Sequence, residues 1–230
     1  MKKLIVTRAD NNIKQMTNIT LPIMENYAQK CNADFKIMSH KAPFLTSDNK
    51  PHYRILKVME LLEEYDRVLC LDADMLINKN CPNIFDIVPV DKIGSIFEDK
   101  GSRTAMRRSK IKQIQKEWGN VGWETGYTNA GTFILSRQHK DIFLPHNNKY
   151  WLNWGSADLH LSYNIHKLKF EIFELDYKWN HMTMFSEGWN NNADRFDSHI
   201  IHYAGVGIFD KKNNGSRIKQ IINDKIKIYD

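Results

Sequence analysis

Cysteine is scarce: Cys31, Cys70 and Cys81 are the only three in 230 residues. An odd number with no paired spacing argues against a disulfide framework. No Cys/His group has zinc-finger spacing. Cys70 lies inside an apolar run and reads as a small core residue. Long hydrophobic runs are also missing, and no segment reaches the length that spans a bilayer. Met1-Lys2-Lys3 leads straight into Leu4–Thr7, an apolar run too short for a signal peptide or anchor. There are no low-complexity tracts, internal repeats or linker-like stretches. These absences point to a reducing, cytoplasmic setting, no membrane span and a single domain, for which this length is ample.

What is present is ordinary for a globular chain: 42% hydrophobic and 26% charged residues. The net charge is +6, and its excess is local. Lys100, Arg103, Arg107, Arg108, Lys110, Lys112 and Lys116 fall in one stretch with no acidic residue. Such a stretch suits phosphate-bearing partners, nucleotides and nucleic acid among them, and reads equally well as a solvated helix face.

The chain alternates strand-like and helix-like segments. Strands are expected at Leu4–Thr7, Asp34–Ser39, Arg67–Leu71, Ile93–Phe97, Gly131–Leu135, Phe170–Leu175 and His199–His202. Helices are expected at Asn18–Cys31, His52–Glu64 and Asn213–Asp230, where apolar residues recur at helical spacing. Asp99–Tyr127 is expected to hold a helix and a loop crossing the mouth of the sheet. Strands separated by helices predict an α/β fold with a mostly parallel sheet.

Arg67–Leu71 is a continuous apolar run after one charge and reads as a strand buried on both faces. It delivers Asp72 and Asp74 to its carboxyl end, where open α/β sheets bind ligands. Two adjacent carboxylates repel unless a cation sits beside them. A hard divalent ion with oxygen ligands resolves that repulsion and leaves positions for phosphate. Spacing alone fits a turn about as well, since Asp is common in turns. His202 ends a later apolar run and precedes Tyr203-Ala204-Gly205, small residues that let a phosphate approach. A lone His is more often structural. Lys211 and Lys212 follow and are placed to neutralise a diphosphate.

The segment PHYRILKVMELLEEYDRVLCLDADMLI (Pro51 to Ile77) resembles the core of GT-A glycosyltransferases, above all the glycogenin-like family 8. There a helix with a basic residue leads into an apolar strand ending in Asp-x-Asp. Tyr127-Thr128-Asn129-Ala130-Gly131-Thr132-Phe133-Ile134-Leu135 is similar to the family's strand lining the donor sugar pocket. Gly155-Ser156-Ala157-Asp158 stands where the family has an acidic segment near that sugar. Tyr177-Lys178-Trp179-Asn180 is similar to its aromatic-x-x-Asn, and His202-Tyr203-Ala204-Gly205 to its late His-x-x-Gly. The motifs occur in the right order over most of the chain. Two departures stand out. The Gln of many family-8 members is missing beside Asp158, and Phe209-Asp210-Lys211-Lys212 replaces the family's Lys-Pro-Trp.

The resemblance implies one GT-A (Rossmann-like) domain over residues 1–230, with 1–98 as the nucleotide-binding half and 99–230 as the donor-sugar and acceptor half. It implies transfer of a sugar from a nucleotide diphosphate, UDP favoured, to a glycan or glycoprotein acceptor, with Mn²⁺ or Mg²⁺ and a weak leaning to retention. Asp72, Asp74 and His202 would hold the metal, with Asp72 also available to the ribose. Thr7, Arg8, Ala9 and Asp10 would hold base and ribose. Arg54 would reach the diphosphate or the first Asp. Ala73, Ala130, Gly131 and Gly205 would line the donor, and Lys211 or Lys212 would contact the diphosphate. Asn129 and Asp158 would act at the donor sugar. If the enzyme inverts, Asp158 and then Glu124 are the candidate bases. Trp118, Trp123, Trp151, Trp154 and Trp189 could face an acceptor sugar, with about three of the five expected in the core.

Two rival classes share some of these features. Haloacid-dehalogenase-type phosphatases also end a strand in Asp-x-Asp, but they place Thr or Val where this chain has Leu76, and near the domain start. A non-catalytic nucleotide-sugar or nucleic-acid binder would fit the basic stretch, yet no nucleic-acid motif of defined spacing occurs.

Overall fold

A computed structural model of the chain describes residues 1–39, 51–205 and 216–229. Its centre is a six-stranded sheet in the order β2-β1-β3-β6-β5-β7. The strands are β1 (Lys3–Arg8), β2 (Asp34–Met38), β3 (Arg67–Leu71), β5 (Ile93–Phe97), β6 (Thr128–Ser136) and β7 (Ile172–Glu174). A separate antiparallel pair joins β4 (Met75–Ile77) to β8 (Ile200–His202). In the main sheet only β6 runs against its neighbours. The pairs β1/β2, β1/β3 and β5/β7 are parallel, so the sheet is mostly parallel as expected.

Alternation along the strands splits the core between the two faces of the sheet. Ile5, Leu69, Leu71 and Ile134 face helices α1 (Lys14–Lys30) and α5 (Arg217–Tyr229). Leu4, Val6, Val68, Cys70, Phe133 and Leu135 face α2 (Val58–Glu64) and α4 (Ser156–Leu168). Each fully buried side chain of this kind contributes about 1.5–3 kcal/mol relative to exposure. A third cluster packs α3 (Thr104–Trp118) on α4 through Ile111, Ile114, Leu159 and Tyr163, with Trp123 and Trp151 between them.

The expected helix His52–Glu64 divides into a 3₁₀ segment, Pro51–Lys57, and the short α2. The expected helix at the end of the chain is observed as α5. Two elements were not expected. One is β4, three residues whose partner lies far along the chain. The other is α4, in which every residue from Leu159 to Ile165 is buried. A helix covered on all sides shows no amphipathic stripe, so periodicity could not reveal it.

The topology gathers four chain segments at one edge. Parallel β1 and β3 end there at Arg8 and Leu71. Antiparallel β6 begins there, and Asp72 N–H donates to Gly131 O at 2.9 Å. Phe97 of β5 pairs with Thr128, which brings Glu98 and Asp99 to the same edge. Among the described residues no helix is long and apolar enough to cross a membrane.

Candidate active site

Asp72 and Asp74 leave β3 together, and β4 begins directly after them. Because Met75 pairs with His202, the β4/β8 ladder sets the imidazole beside both carboxylates. His202 Nε2 lies 3.3 Å from Asp74 Oδ1 and 3.6 Å from Asp72 Oδ2. One ligand atom from each of the three residues falls within 4.8 Å of the others, so the group can hold a metal ion. The donor set of two carboxylates and an imidazole suits a borderline-hard divalent cation. Two arginines take up its negative charge: Arg8 pairs with Asp72, and Arg217 Nη1 is 3.0 Å from Asp74 Oδ2.

The electrostatics follow from this crowding. Burial acts against the Asp74 carboxylate, but His202 and Arg217 outweigh it and hold its pKa down at about 2. Burial likewise opposes the His202 charge, and Asp74 then Asp72 reverse that, so its pKa is raised. Arg8 is raised as well, because Asp72 outweighs the penalty of burial.

Gly131 is required at the closest approach. A Cβ there would stand 2.7 Å from Asn129 Oδ1, 2.8 Å from His202 Cε1 and 3.0 Å from Asp72 Oδ2. Such contacts cannot be met without moving all three side chains.

These residues form one wall of a cleft of about 840 Å³. Glu98, Arg103, Arg107, Asn129, Trp154 and Asp158 line other parts of it. Glu98 is buried and accepts from both Arg103 and Arg107. Burial, and then the Glu98 charge, push the Asp158 carboxyl up to about 7, although its Oδ1 accepts from Ala130 N–H at 3.0 Å.

The residues singled out from the sequence scatter around this site to different degrees. Asp72, Ala73, Asp74, Arg8, Asn129, Asp158, His202 and Gly205 all line the cleft. Thr7 and Ala9 are buried, and Asp10 binds Arg54 through a 2.6 Å ion pair. The first acid is therefore met by Arg8 rather than by Arg54. Ala130 is buried and touches the site through its peptide N–H. Lys211 and Lys212 lie outside the described residues. Glu124 is exposed and lines a different groove with Arg108, Lys112 and Thr125, so it does not reach this cleft. Trp123 and Trp151 are core residues and Trp118 packs on His146, whereas Trp154 and Trp189 are about half exposed.

Sequence reasoning missed four contributors. Arg217 reaches Asp74 from α5, and nothing local marks it out. Arg103 and Arg107 were seen only as members of a basic run; they stand four apart, Arg103 just before α3 and Arg107 in its first turn, and both pair with the buried Glu98 in the cleft. Asn180 was noted only as part of a motif, yet its Oδ1 lies 2.8 Å from His202 Nδ1.

Solved structures of sugar-transferring enzymes share this fold. A glycosyltransferase involved in glycosylating the major capsid of PBCV-1 superposes with a TM-score of 0.62 at 14% identity, covering 98% of this chain and 100% of its own. The galactosyltransferase LgtC, in complex with donor and acceptor sugar analogues, gives 0.55 at 14% identity, covering 99% and 96%. Mouse xyloside xylosyltransferase 1 gives 0.51 at 12% identity, covering 87% and 96%. No curated protein sequence matches the chain. Residues 4–207 match the model of glycosyl transferase family 8, and the chain belongs to that family. It is a glycosyltransferase.

Proposed function

We propose that the protein moves a sugar from a nucleotide diphosphate sugar, a UDP-sugar by preference, to a hydroxyl of a glycan or glycoprotein, using Mn²⁺ or Mg²⁺ at Asp72, Asp74 and His202. The observation that supports it most is the convergence of those three side chains in a cleft also lined by Arg8, Arg103, Arg107 and Arg217. A bound divalent ion supplies Lewis-acid stabilisation of the charge that grows on the leaving diphosphate. The arginines hold the diphosphate and stabilise the same charge through preorganised donors. Residues 1–98 supply the nucleotide side, with Arg8 nearest the ribose and phosphates, and residues 99–230 supply the sugar and acceptor side.

Asn129 and Asp158 line the same cleft as the acids and serve the donor sugar. Asp158, with a carboxyl near neutrality, can donate to or accept from a sugar hydroxyl at physiological pH. The transfer retains the anomeric configuration, as in the families the motifs resemble.

The test is a thermal-shift panel of nucleotide diphosphates and UDP-sugars with and without Mn²⁺, followed by turnover assays. Metal-dependent stabilisation by a nucleoside diphosphate, lost in Asp74→Ala, is expected. If no nucleoside diphosphate stabilises the protein with any divalent metal, the reading fails. Binding without transfer or donor hydrolysis would make it a non-catalytic binder.

A further inference from the structure

The strongest feature outside the ligands themselves is a hydrogen-bonded chain behind His202. Asn180 is fully buried, and Asn129, Glu98 and His202 are nearly so. Asn180 follows the 3₁₀ turn Tyr177–Trp179, and its successor His181 is laddered to β8: His181 N–H donates to Ile200 O at 2.9 Å and His202 N–H to His181 O at 3.0 Å. The backbone thus fixes Asn180 alongside His202.

The direction of every bond in the chain can be deduced from one peptide group. Gly131 N–H is only a donor, and it lies 2.8 Å from Asn129 Oδ1. That atom is therefore the amide oxygen, and Asn129 Nδ2 donates to Glu98 Oε2 at 3.2 Å. The Asn180 atom 2.9 Å from the same oxygen must be a donor, so it is Nδ2. Its own oxygen then faces His202 Nδ1 at 2.8 Å. An acceptor in that place holds a proton on Nδ1 and leaves Nε2, the nitrogen nearest Asp72 and Asp74, as the coordinating atom. The chain ends on Glu98, whose charge is anchored by Arg103 and Arg107.

We propose that Asn180 is a positioning residue that, with Asn129 and Glu98, forms a one-directional donor relay orienting His202 for metal binding. This rests on the reading of Asp72, Asp74 and His202 as a metal site. The relay supplies to His202 what outer-sphere partners supply to metal-bound imidazoles generally: a fixed ring plane, a fixed tautomer and a more basic donor nitrogen. Hydrogen bonds in a chain polarise one another, so a change at Asn129 is felt at His202 without touching it.

Two measurements test the relay. Mn²⁺ affinity is read by electron paramagnetic resonance titration, with metal-free unfolding as the control for folding. Asn180→Leu, of similar volume but lacking the acceptor, is expected to weaken Mn²⁺ binding by about ten- to a hundredfold. The second readout is the His202 Nδ1–H resonance of the Mg²⁺-loaded protein. It is expected to exchange slowly in the wild type, to lose that protection in Asn180→Leu and to shift in Asn129→Leu. A folded Asn180→Leu that binds Mn²⁺ within threefold of the wild type, while Asp74→Ala does not bind, overturns the relay and leaves the metal site standing. Asp74→Ala binding like the wild type overturns the metal site, and the relay with it. If Asn180→Leu does not fold, a fast-exchanging wild-type Nδ1–H overturns the relay and a protected one supports it.

Discussion

Arg217 Nη1 donates to Asp74 Oδ2 at 3.0 Å, while its Nη2 donates to Gly205 O. A guanidinium thus stands where a metal ion would compete for the same carboxylate. Arg217→Gln should remove that competitor. In the absence of nucleotide, Mn²⁺ binding is expected to tighten by about tenfold, the scale of one pKa unit of charge interaction. Nucleoside diphosphate binding at saturating Mn²⁺ should weaken, because a cation is lost from the cleft. Calorimetric titration of both ligands checks the opposite signs.

Gly131→Ala should damage the site without an added polar group. The new Cβ meets Asn129, His202 and Asp72 at 3.0 Å or less. Overpacking of a tight site typically costs about 1–3 kcal/mol. A lower urea midpoint together with loss of Mn²⁺ binding is expected. Unchanged metal binding would show that the side chains yield freely.

Asp158 makes stability depend on pH. Its folded pKa is about 7 against an ordinary 3.8, raised by burial and then by Glu98. Between those values the folded chain holds a proton that the unfolded chain has released. Stability from this group is therefore full below about pH 4 and lost as pH rises to about 7. Asp158→Asn should remove that loss, raising the metal-free melting midpoint by about 5 °C at pH 8 and far less at pH 5. Transfer activity should fall in the same variant.

The tryptophans should separate by burial. Trp154 is 47% exposed and its ring lies 4.6 Å from Arg107, a cation–π contact on the rim of the cleft. Trp154→Ala should change stability little and raise the acceptor KM several-fold. Trp151 is 1% exposed, and Trp151→Ala should cost about 3–5 kcal/mol. Steady-state kinetics and denaturant unfolding on the same pair of variants check this.

The sheet was legible because its strands are written locally. Val68–Leu71 is an uninterrupted apolar run after Arg67, and all five positions are buried. The acids after it were legible for the same reason, and His202 through a motif at a strand end. What sequence could not carry was pairing at a distance. Nothing in Met75-Leu76-Ile77 names Ile200–His202 as its partner, and nothing near Arg217 names Asp74. Glu124 and Asp158 look alike in the sequence, as acids in the second half of the chain. Only the fold puts Asp158 on a helix turned to the cleft and Glu124 on an outer surface. Helix α4 was hidden because His160, Ser162 and Asn164 are buried with the apolar residues, which erases the contrast that marks a helix.

The β4/β8 pairing has a consequence for how the protein is made. Asp74 lies well before His202 in the chain, and the two are brought together through that three-residue ladder and the Tyr203 N–H bond to Asp74 O. A nascent chain can complete its β1–β3 sheet core while still unable to chelate a divalent ion. With a metal bound as proposed, its capture would be a late event that closes a very long loop, and the ion would act as a cross-link holding β8 and α5 to the body of the sheet. Chelation should therefore loosen β8 and α5 first, long before the central strands give way.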